Sequence, residues 1–505
     1  PVGATSSGTD VVLGDNGYVT WDTEEQITSF GSTEPTLGGD DLIDVGDGTN
    51  VVIGGFGNDV ITTGAGSDVV VGDNGSGTYT PGTTDLAQVL TTDTTNATGG
   101  NDVITTGDGD NVVLAGVGSD TVTAGSGSDL VIGDNGQVDW NSDGTTDTIQ
   151  TTDPSLGAND TIDTGDGNNI VLGGYGSDTI SAGDGNDTVT GDNGQVVYQG
   201  PTIAYTQTTD TVASTGGGDV IDAGNGNNVV LGGVGSDDIV TGNGNDVVTG
   251  DNGTVVNDAN GNLQQVYTGD PQLGGNDTIS TGDGNDVAMG GAGSDTVLSD
   301  GGFDILFGDG GSVTYGPGTQ IYILSLDPQF GGDDVIDGGA GTDIVVGGQG
   351  NDLMYGSLDE DLLFGSNVAV TLVDGLVRRI EVDTHDLVTE SLFKSFDALD
   401  DDEAVAIYYE FQFDGVDDDD AAPAVLQLPH PLLNVTGFEA LFDLAVDFFG
   451  DALYDVSAFR VVFDSGVVTV IRAAIRDAAI EGTEVPGVPD ANPEAPAAAA
   501  AAGVR

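Results

Sequence analysis

The chain has 505 residues, with 84 Asp+Glu against 7 Lys+Arg and a formal net charge of -77, and its first cationic side chain is Arg378, so residues 1–377 contain no Lys or Arg. That balance excludes nucleic acid as a direct partner of this stretch, because phosphate binding needs cationic side chains; it leaves either disorder or neutralisation by cations from outside. No Cys is present, which removes disulfides and cysteine-ligated zinc, and the sequence has neither an apolar run long enough for a transmembrane helix nor a visible signal peptide.

Residues 8–13 (GTDVVL) read as the tail of a nine-residue repeat, so the chain begins mid-repeat and a longer array is expected upstream. GDNG follows at 14–17 and returns at 72–75, 133–136, 191–194 and 250–253; GDGG stands at 308–311 and GSNV at 365–368, a spacing of 57 to 61 residues. A fixed period signals stacked units that share one core, and it decides against disorder. Within each long unit the period is nine. From Ser155 the nonamers read SLGANDTID, TGDGNNIVL, GGYGSDTIS, AGDGNDTVT and GDNGQVVYQ. The consensus is G-G-x-G-x-D-x-U-x, with U apolar.

Position eight is Ile43, Val52, Ile61 and Val70 in one unit and Ile162, Val171, Ile180 and Val189 in another. One β-branched side chain per strand is expected to point inward and stack on its neighbours, while the glycines allow positive φ in the turns. The Asp at position six sits where turn becomes strand. Stacked turns gather these carboxylates into columns a few ångströms apart, strongly unfavourable without a cation. Ca²⁺ suits such columns, since it takes six to eight oxygens from carboxylates and backbone carbonyls; Mg²⁺ wants strict octahedral geometry and holds its water.

Over roughly 1–369 these nonamers resemble the RTX, or hemolysin-type, calcium-binding repeat. The resemblance implies an all-β, right-handed parallel β-roll, with Ca²⁺ bridging the loops of adjacent turns. The expected metal ligands are Asp41, Asp59, Asp68, Asp102, Asp120, Asp129, Asp160, Asp178, Asp187, Asp219, Asp237, Asp246, Asp277, Asp286, Asp295, Asp304, Asp334, Asp343, Asp352 and Asp361. Asn50, Asn111, Asn169 and Asn228 take the same position in second nonamers, and those neutral loops are expected to bind less tightly.

Two nonamers make one turn of such a roll. Five nonamers plus an insert then suggest three turns per long unit, with the sixth half-turn expanded and all inserts on one edge. At ~4.8 Å per turn each unit would rise roughly 14 Å. The inserts, such as 137–156 and 254–273, read as hairpins, with Asn/Asp/Gly turns between short alternating arms. Several end in Asp-Pro, as at Asp153-Pro154 and Asp270-Pro271. One sheet is apolar on its outward positions as well, with pairs such as Val51/Ile53, Ile170/Leu172 and Val229/Leu231. Water is a poor neighbour for so long an apolar strip. Either the hairpins fold back over it or another copy of the chain packs against it.

From about 370 glycine thins. Residues 406–413 and 458–472 read as strands and 432–453 as amphipathic helix. A small α+β domain over 370–485 is expected, followed by a Pro/Ala-rich disordered tail over 486–505. The acidic clusters 397–403 and 414–420 do not place Gly sixth and Glu twelfth as an EF-hand loop requires; they read as solvated loops, with extra Ca²⁺ sites as the alternative. His385 and His430 have no converging partners, and neither HExxH nor GxSxG occurs, so no enzyme is expected. The G-x-G runs recur every nine residues and open no helix, which removes nucleotide binding.

These readings converge on a secreted bacterial calcium-dependent scaffold, exported by a type I route and assembling as a surface layer, matrix or filament. The alternatives are a calcium-rigidified stalk of a large adhesin, meeting a cell-surface or matrix ligand, and the repeat portion of an RTX enzyme or toxin with its catalytic domain upstream.

Overall fold

A turn of glycines followed by three residues of strand is too short to fold alone, so each strand gains its stability by pairing with the equivalent strand one turn on. A computed structural model describes residues 2–3, 8–327, 329–357 and 361–382, and the strands Leu392–Phe393, Ala424–Pro429, Val456–Asp464 and Val467–Ile475. Every element among the described residues is a strand or bridge; none is a helix. The chain divides into two compact units, residues 1–301 and 302–505.

The first unit has three β layers. The outer sheet stacks in parallel the strands Leu42–Gly46, Val60–Thr63, Val103–Thr105, Thr121–Thr123, Thr161–Asp163, Thr179–Ser181, Val220–Asp222, Asp238–Val240, Thr278–Ser280 and Thr296–Leu298. In each of its three-residue strands only the middle residue is buried, so only that residue enters the core. The second, central sheet runs in parallel from Val11–Leu13 to Val287–Gly291. Between the two sheets lie the position-eight residues in register: Ile61 on Ile104 on Val122 on Ile162 on one side, Val70 on Val113 on Val131 on Val171 on the other.

The third layer is built by the inserts. Gly17–Trp21 with Ile27–Ser32, Gly75–Tyr79 with Leu86–Thr91, Gly136–Trp140 with Thr146–Thr151, Gly194–Gln199 with Thr202–Thr208, and Gly253–Asn257 with Leu263–Thr268 are antiparallel hairpins. Each pairs with the next in a single antiparallel sheet. Its inward side chains, Phe30, Val89, Val138, Ile149 and Val196, pack with Val51, Ile53, Val71, Leu114, Ile132 and Leu172 of the central sheet in one buried cluster. In the first unit the apolar strip is therefore covered within the chain, the first of the two expected alternatives. Gly77 shows how close the cover is: a Cβ there would stand 2.3 Å from the Phe30 ring.

The hairpins change the turn count. Thr121–Thr123 pairs directly with Thr161–Asp163, although a hairpin lies between them in sequence. A long unit thus contributes two turns to the roll rather than three, a rise of roughly 10 Å. The fifth nonamer, GDNGQVVYQ, has Gln, Val and Val where the fourth has Asn, Asp and Thr, and it leaves the parallel ladder to become a hairpin arm. All inserts leave from the same edge, between a central strand and the next outer strand, as expected.

The second unit repeats the plan. Its central strands are Ile305–Asp309, Ile344–Val346 and Leu362–Phe364, and its outer strands Val335–Asp337 and Leu353–Tyr355. Hairpins Gly311–Tyr315 with Gln320–Ser325, and Val368–Val373 with Leu376–Val382, pair side by side. Val456–Asp464 and Val467–Ile475 form an antiparallel pair where strands were expected, joined by Ala424–Pro429. The expected strand at 406–413, helix at 432–453, both acidic clusters, both histidines and the tail at 486–505 lie outside the described residues.

Two substitutions separate the layers. Ile180→Ala, in the core between the parallel sheets, should cost about 2–5 kcal/mol, read as an earlier thermal midpoint. Ile149→Asp places a charge under the hairpin sheet; it should leave the parallel strands in circular dichroism while uncovering the central sheet, read as new dye binding and larger particles in light scattering.

Candidate metal columns

Each nonamer ends its turn at position six, so the stacking of turns dictates where these side chains go. Asp41, Asp59, Asp102, Asp120, Asp160, Asp178, Asp219, Asp237, Asp277 and Asp295 form one column, at the edge where central strands lead to outer strands. Asp334 and Asp352 stand likewise in the second unit. At the opposite edge Asp68, Asp129, Asp187, Asp246 and Asp286 alternate or follow with Asn50, Asn111, Asn169 and Asn228. In the second unit Asp304, Asp343 and Asp361 form a ladder of their own. Within its own unit, each residue expected as a ligand stands in one of two such ladders.

The ladder that builds a column uses one oxygen of each carboxylate. The Asp120 N–H donates to Asp160 Oδ1 at 2.8 Å, the Asp160 N–H to Asp178 Oδ1 at 2.7 Å, and the Asp178 N–H to Asp219 Oδ1 at 2.7 Å. The second oxygen is left over. Oδ2 of Asp59, Asp102, Asp120, Asp160, Asp178, Asp219, Asp237 and Asp277 is buried without a hydrogen-bond partner. A buried polar atom in that state costs roughly 1–3 kcal/mol, more when charged.

Apart from Asp120, these oxygens each stand beside a backbone carbonyl oxygen of a neighbouring turn. A Cβ added to Gly173 would meet the Gly191 carbonyl oxygen at 1.9 Å and Asp178 Oδ2 at 2.5 Å; one on Gly232 would meet the Gly250 carbonyl at 2.1 Å and Asp237 Oδ2 at 2.5 Å. Glycine is required here because these oxygens occupy the side-chain space. Among the described residues no three carboxylate or imidazole groups converge on one point, so a cation would take one or two carboxylates together with carbonyls. That hard, all-oxygen donor set is the one Ca²⁺ prefers, and the orphaned Oδ2 atoms fit it.

Electrostatics tell the same story. Burial, followed by the charge of neighbouring aspartates, pushes the Asp219 carboxyl up to about 10 and Asp277 to about 9. Burial raises Asp102 to about 8 and Asp178 and Asp237 to about 7. Burial likewise raises Asp59 to about 6 at this edge, and at the opposite edge Asp129 and Asp246 to about 6 and Asp187 to about 7.

One set of residues escapes the nonamer consensus: the Asp of each GDNG and of the GDGG at 308–311. Asp134 accepts the Ala158 N–H on Oδ1 at 3.2 Å and the Tyr175 N–H on Oδ2. Asp192 accepts Gly217 and Val234, Asp251 accepts Gly275 and Ala292, and Asp309 accepts Gly332 and Gln349. Each carboxylate thereby ties the strand that enters a hairpin to the segment that leaves it and to the following turn. The adjacent Asn closes the same root: Asn193 Nδ2 donates to Asp210 Oδ1 at 3.0 Å and to the Thr215 carbonyl at 2.9 Å. The recurrence of GDNG was the signal in the sequence, legible there only as a ruler.

Without cations, protons are the alternative partner. These aspartates sit above the unfolded value of about 3.9, so the folded state binds protons more tightly than the unfolded one. The proton-linked stability is full below about pH 4 and is lost as pH rises through about 6 for Asp59 and on to about 10 for Asp219. In chelator, strand circular dichroism should therefore grow as pH falls from 9 to 5. A flat signal across that window would contradict the buried columns.

Comparison with known proteins places the pattern. The RTX calcium-binding nonapeptide repeat family matches residues 44–79, 92–122, 163–195, 206–239, 214–248, 231–254, 273–306 and 330–365. A comparison with curated proteins finds no match. Among solved structures, a hyperactive, Ca²⁺-dependent, β-helical antifreeze protein from an Antarctic bacterium is similar at 14% identity, over 66% of this chain and 79% of that one, with a TM-score of 0.21; no argument about this chain is built on that likeness. With the nonamers in register, an all-β parallel roll and position-six carboxylates in columns, the repeats of this chain belong to the RTX calcium-binding nonapeptide repeats.

Proposed function

We propose that this chain is an extracellular structural protein that folds when Ca²⁺ fills its aspartate columns. The observation that carries the reading is the row of buried, unpartnered Oδ2 atoms in a stretch with no Lys or Arg before Arg378. The residues that hold the ions are the twenty position-six aspartates, from Asp41 to Asp361, with loop carbonyls completing the shell. Ca²⁺ supplies charge neutralisation and a bridge between turns, and its binding free energy becomes folding free energy. At low calcium, as in a bacterial cytoplasm, the columns repel and the chain stays extended for export, by a type I route. Outside, millimolar Ca²⁺ closes the roll. The chemistry proposed is ion binding, with no catalytic step.

The domain reading that accompanies this is a roll over 1–369, a small domain over 370–485 that caps or docks it, and a tail over 486–505. Of the scaffold forms, a rigid stalk of a larger adhesin is favoured by the hairpin cover, since the apolar strip that would drive lateral assembly is buried.

Calcium titration of one sample by circular dichroism and light scattering tests both points. Strand signal is expected to rise at millimolar Ca²⁺ with particles of constant size. Large particles arriving with the strand signal would move the reading to a layer or filament. No strand signal would end the calcium-folding proposal.

A further inference from the structure

The two edges of the first unit are not chemically equivalent, and the difference lies in a single atom. At the edge where outer strands lead to central strands, position six reads Asn50, Asp68, Asn111, Asp129, Asn169, Asp187, Asn228, Asp246 in order of turns. Oδ1 does the same work in both residue types: Asn169 Oδ1 accepts the Asp129 N–H at 2.8 Å, and Asp187 Oδ1 accepts the Asn169 N–H at 2.7 Å. Asn and Asp have the same shape, so the remaining terminal atom stands in the same place.

What that atom does differs. Asn111 Nδ2 donates to the Gly107 carbonyl at 3.1 Å, the Gly109 carbonyl at 2.9 Å and Asp129 Oδ1 at 2.9 Å. Asn169 Nδ2 donates to the Gly165 carbonyl at 3.0 Å and the Ala182 carbonyl at 2.9 Å. Asn50 Nδ2 reaches the Gly46 and Gly48 carbonyls and Asp68 Oδ1, and Asn228 Nδ2 the Gly224 carbonyl. At Asp129 and Asp187 the corresponding Oδ2 is buried with no partner. The same cradle of carbonyl oxygens is filled by an amide in one loop and lacks a positive group in the next.

Resting on the calcium reading above, we infer that the amide of Asn50, Asn111, Asn169 and Asn228 is a built-in substitute for a cation, so that alternate loops on this edge close without Ca²⁺. The all-aspartate edge has no such substitute and needs a cation at successive turns. The amide-bearing edge therefore takes up fewer ions and assembles at lower calcium than the edge facing it.

The test uses the full chain in two forms. In the first, Asn50, Asn111, Asn169 and Asn228 are all changed to Asp. Bound calcium, measured by equilibrium dialysis and elemental analysis, should rise by about two to four ions per chain, and the dichroism midpoint should move about threefold or more toward higher free Ca²⁺. In the second, Asp129→Asn with Asp187→Asn should lower bound calcium by about one or two ions, with the midpoint unchanged or moved toward lower calcium. The second form decides the matter if the first fails to fold. Wild-type uptake of Ca²⁺ with unchanged counts in both variants overturns this inference alone. A raised midpoint in the Asp129→Asn, Asp187→Asn form also overturns it. A wild-type chain that binds no Ca²⁺ overturns the calcium reading beneath it.

Discussion

Carboxylates stacked at the spacing of one β-roll turn repel by roughly 3 kcal/mol per neighbouring pair at an effective dielectric of about 20, and the turns of the roll are built around that repulsion. No cationic side chain is available before Arg378 to offset it. The backbone ladder satisfies one oxygen per aspartate and leaves the other buried among carbonyl oxygens. A column of this kind is unstable alone and becomes a framework once positive charge enters it. The hydrophobic core between the parallel sheets is thin, a single apolar residue per strand and most often Val or Ile, so the roll relies on its edges as much as on its interior.

The glycines belong to the same constraint. Those at the turns do more than permit positive φ, which Gly226 adopts at 136°. They hold space: a Cβ on Gly226 would stand 1.4 Å from the Gly185 carbonyl oxygen of the neighbouring turn. Stacked turns can bring carbonyl oxygens together only where no side chain intervenes, and a side chain at such a glycine would push the stacked turns apart.

The hairpin sheet answers a separate problem. A central sheet made of Val, Ile and Leu on both faces would leave a long apolar strip in water. The chain covers it with its own inserts, one per two turns, whose roots are tied by aspartates such as Asp134 and Asp192 and by Asn74 and Asn193. Because each hairpin pairs with the next, the cover is continuous within the first unit. The long period of the sequence is the period of this third layer, laid over the nine-residue period of the roll.

Local chemistry was legible in the sequence wherever it repeats every nine residues. The position-eight residues enter the core because alternation in a three-residue strand allows only the middle side chain to point inward. The position-six aspartates form columns because equal turn lengths stack equal positions. Neither conclusion needs coordinates. What the tertiary structure decided is what depends on contacts between distant segments. The number of turns per long unit was read as three and is two, since nothing local says whether the fifth nonamer continues the parallel ladder or leaves it for an antiparallel one. The cover on the apolar strip, the clamp formed by Asp134 or Asp192, and the amides of Asn111 and Asn169 seated among carbonyls all involve partners set by folding across tens of residues. A nonamer carries no record of its neighbour on the next turn, and only stacking brings the two together.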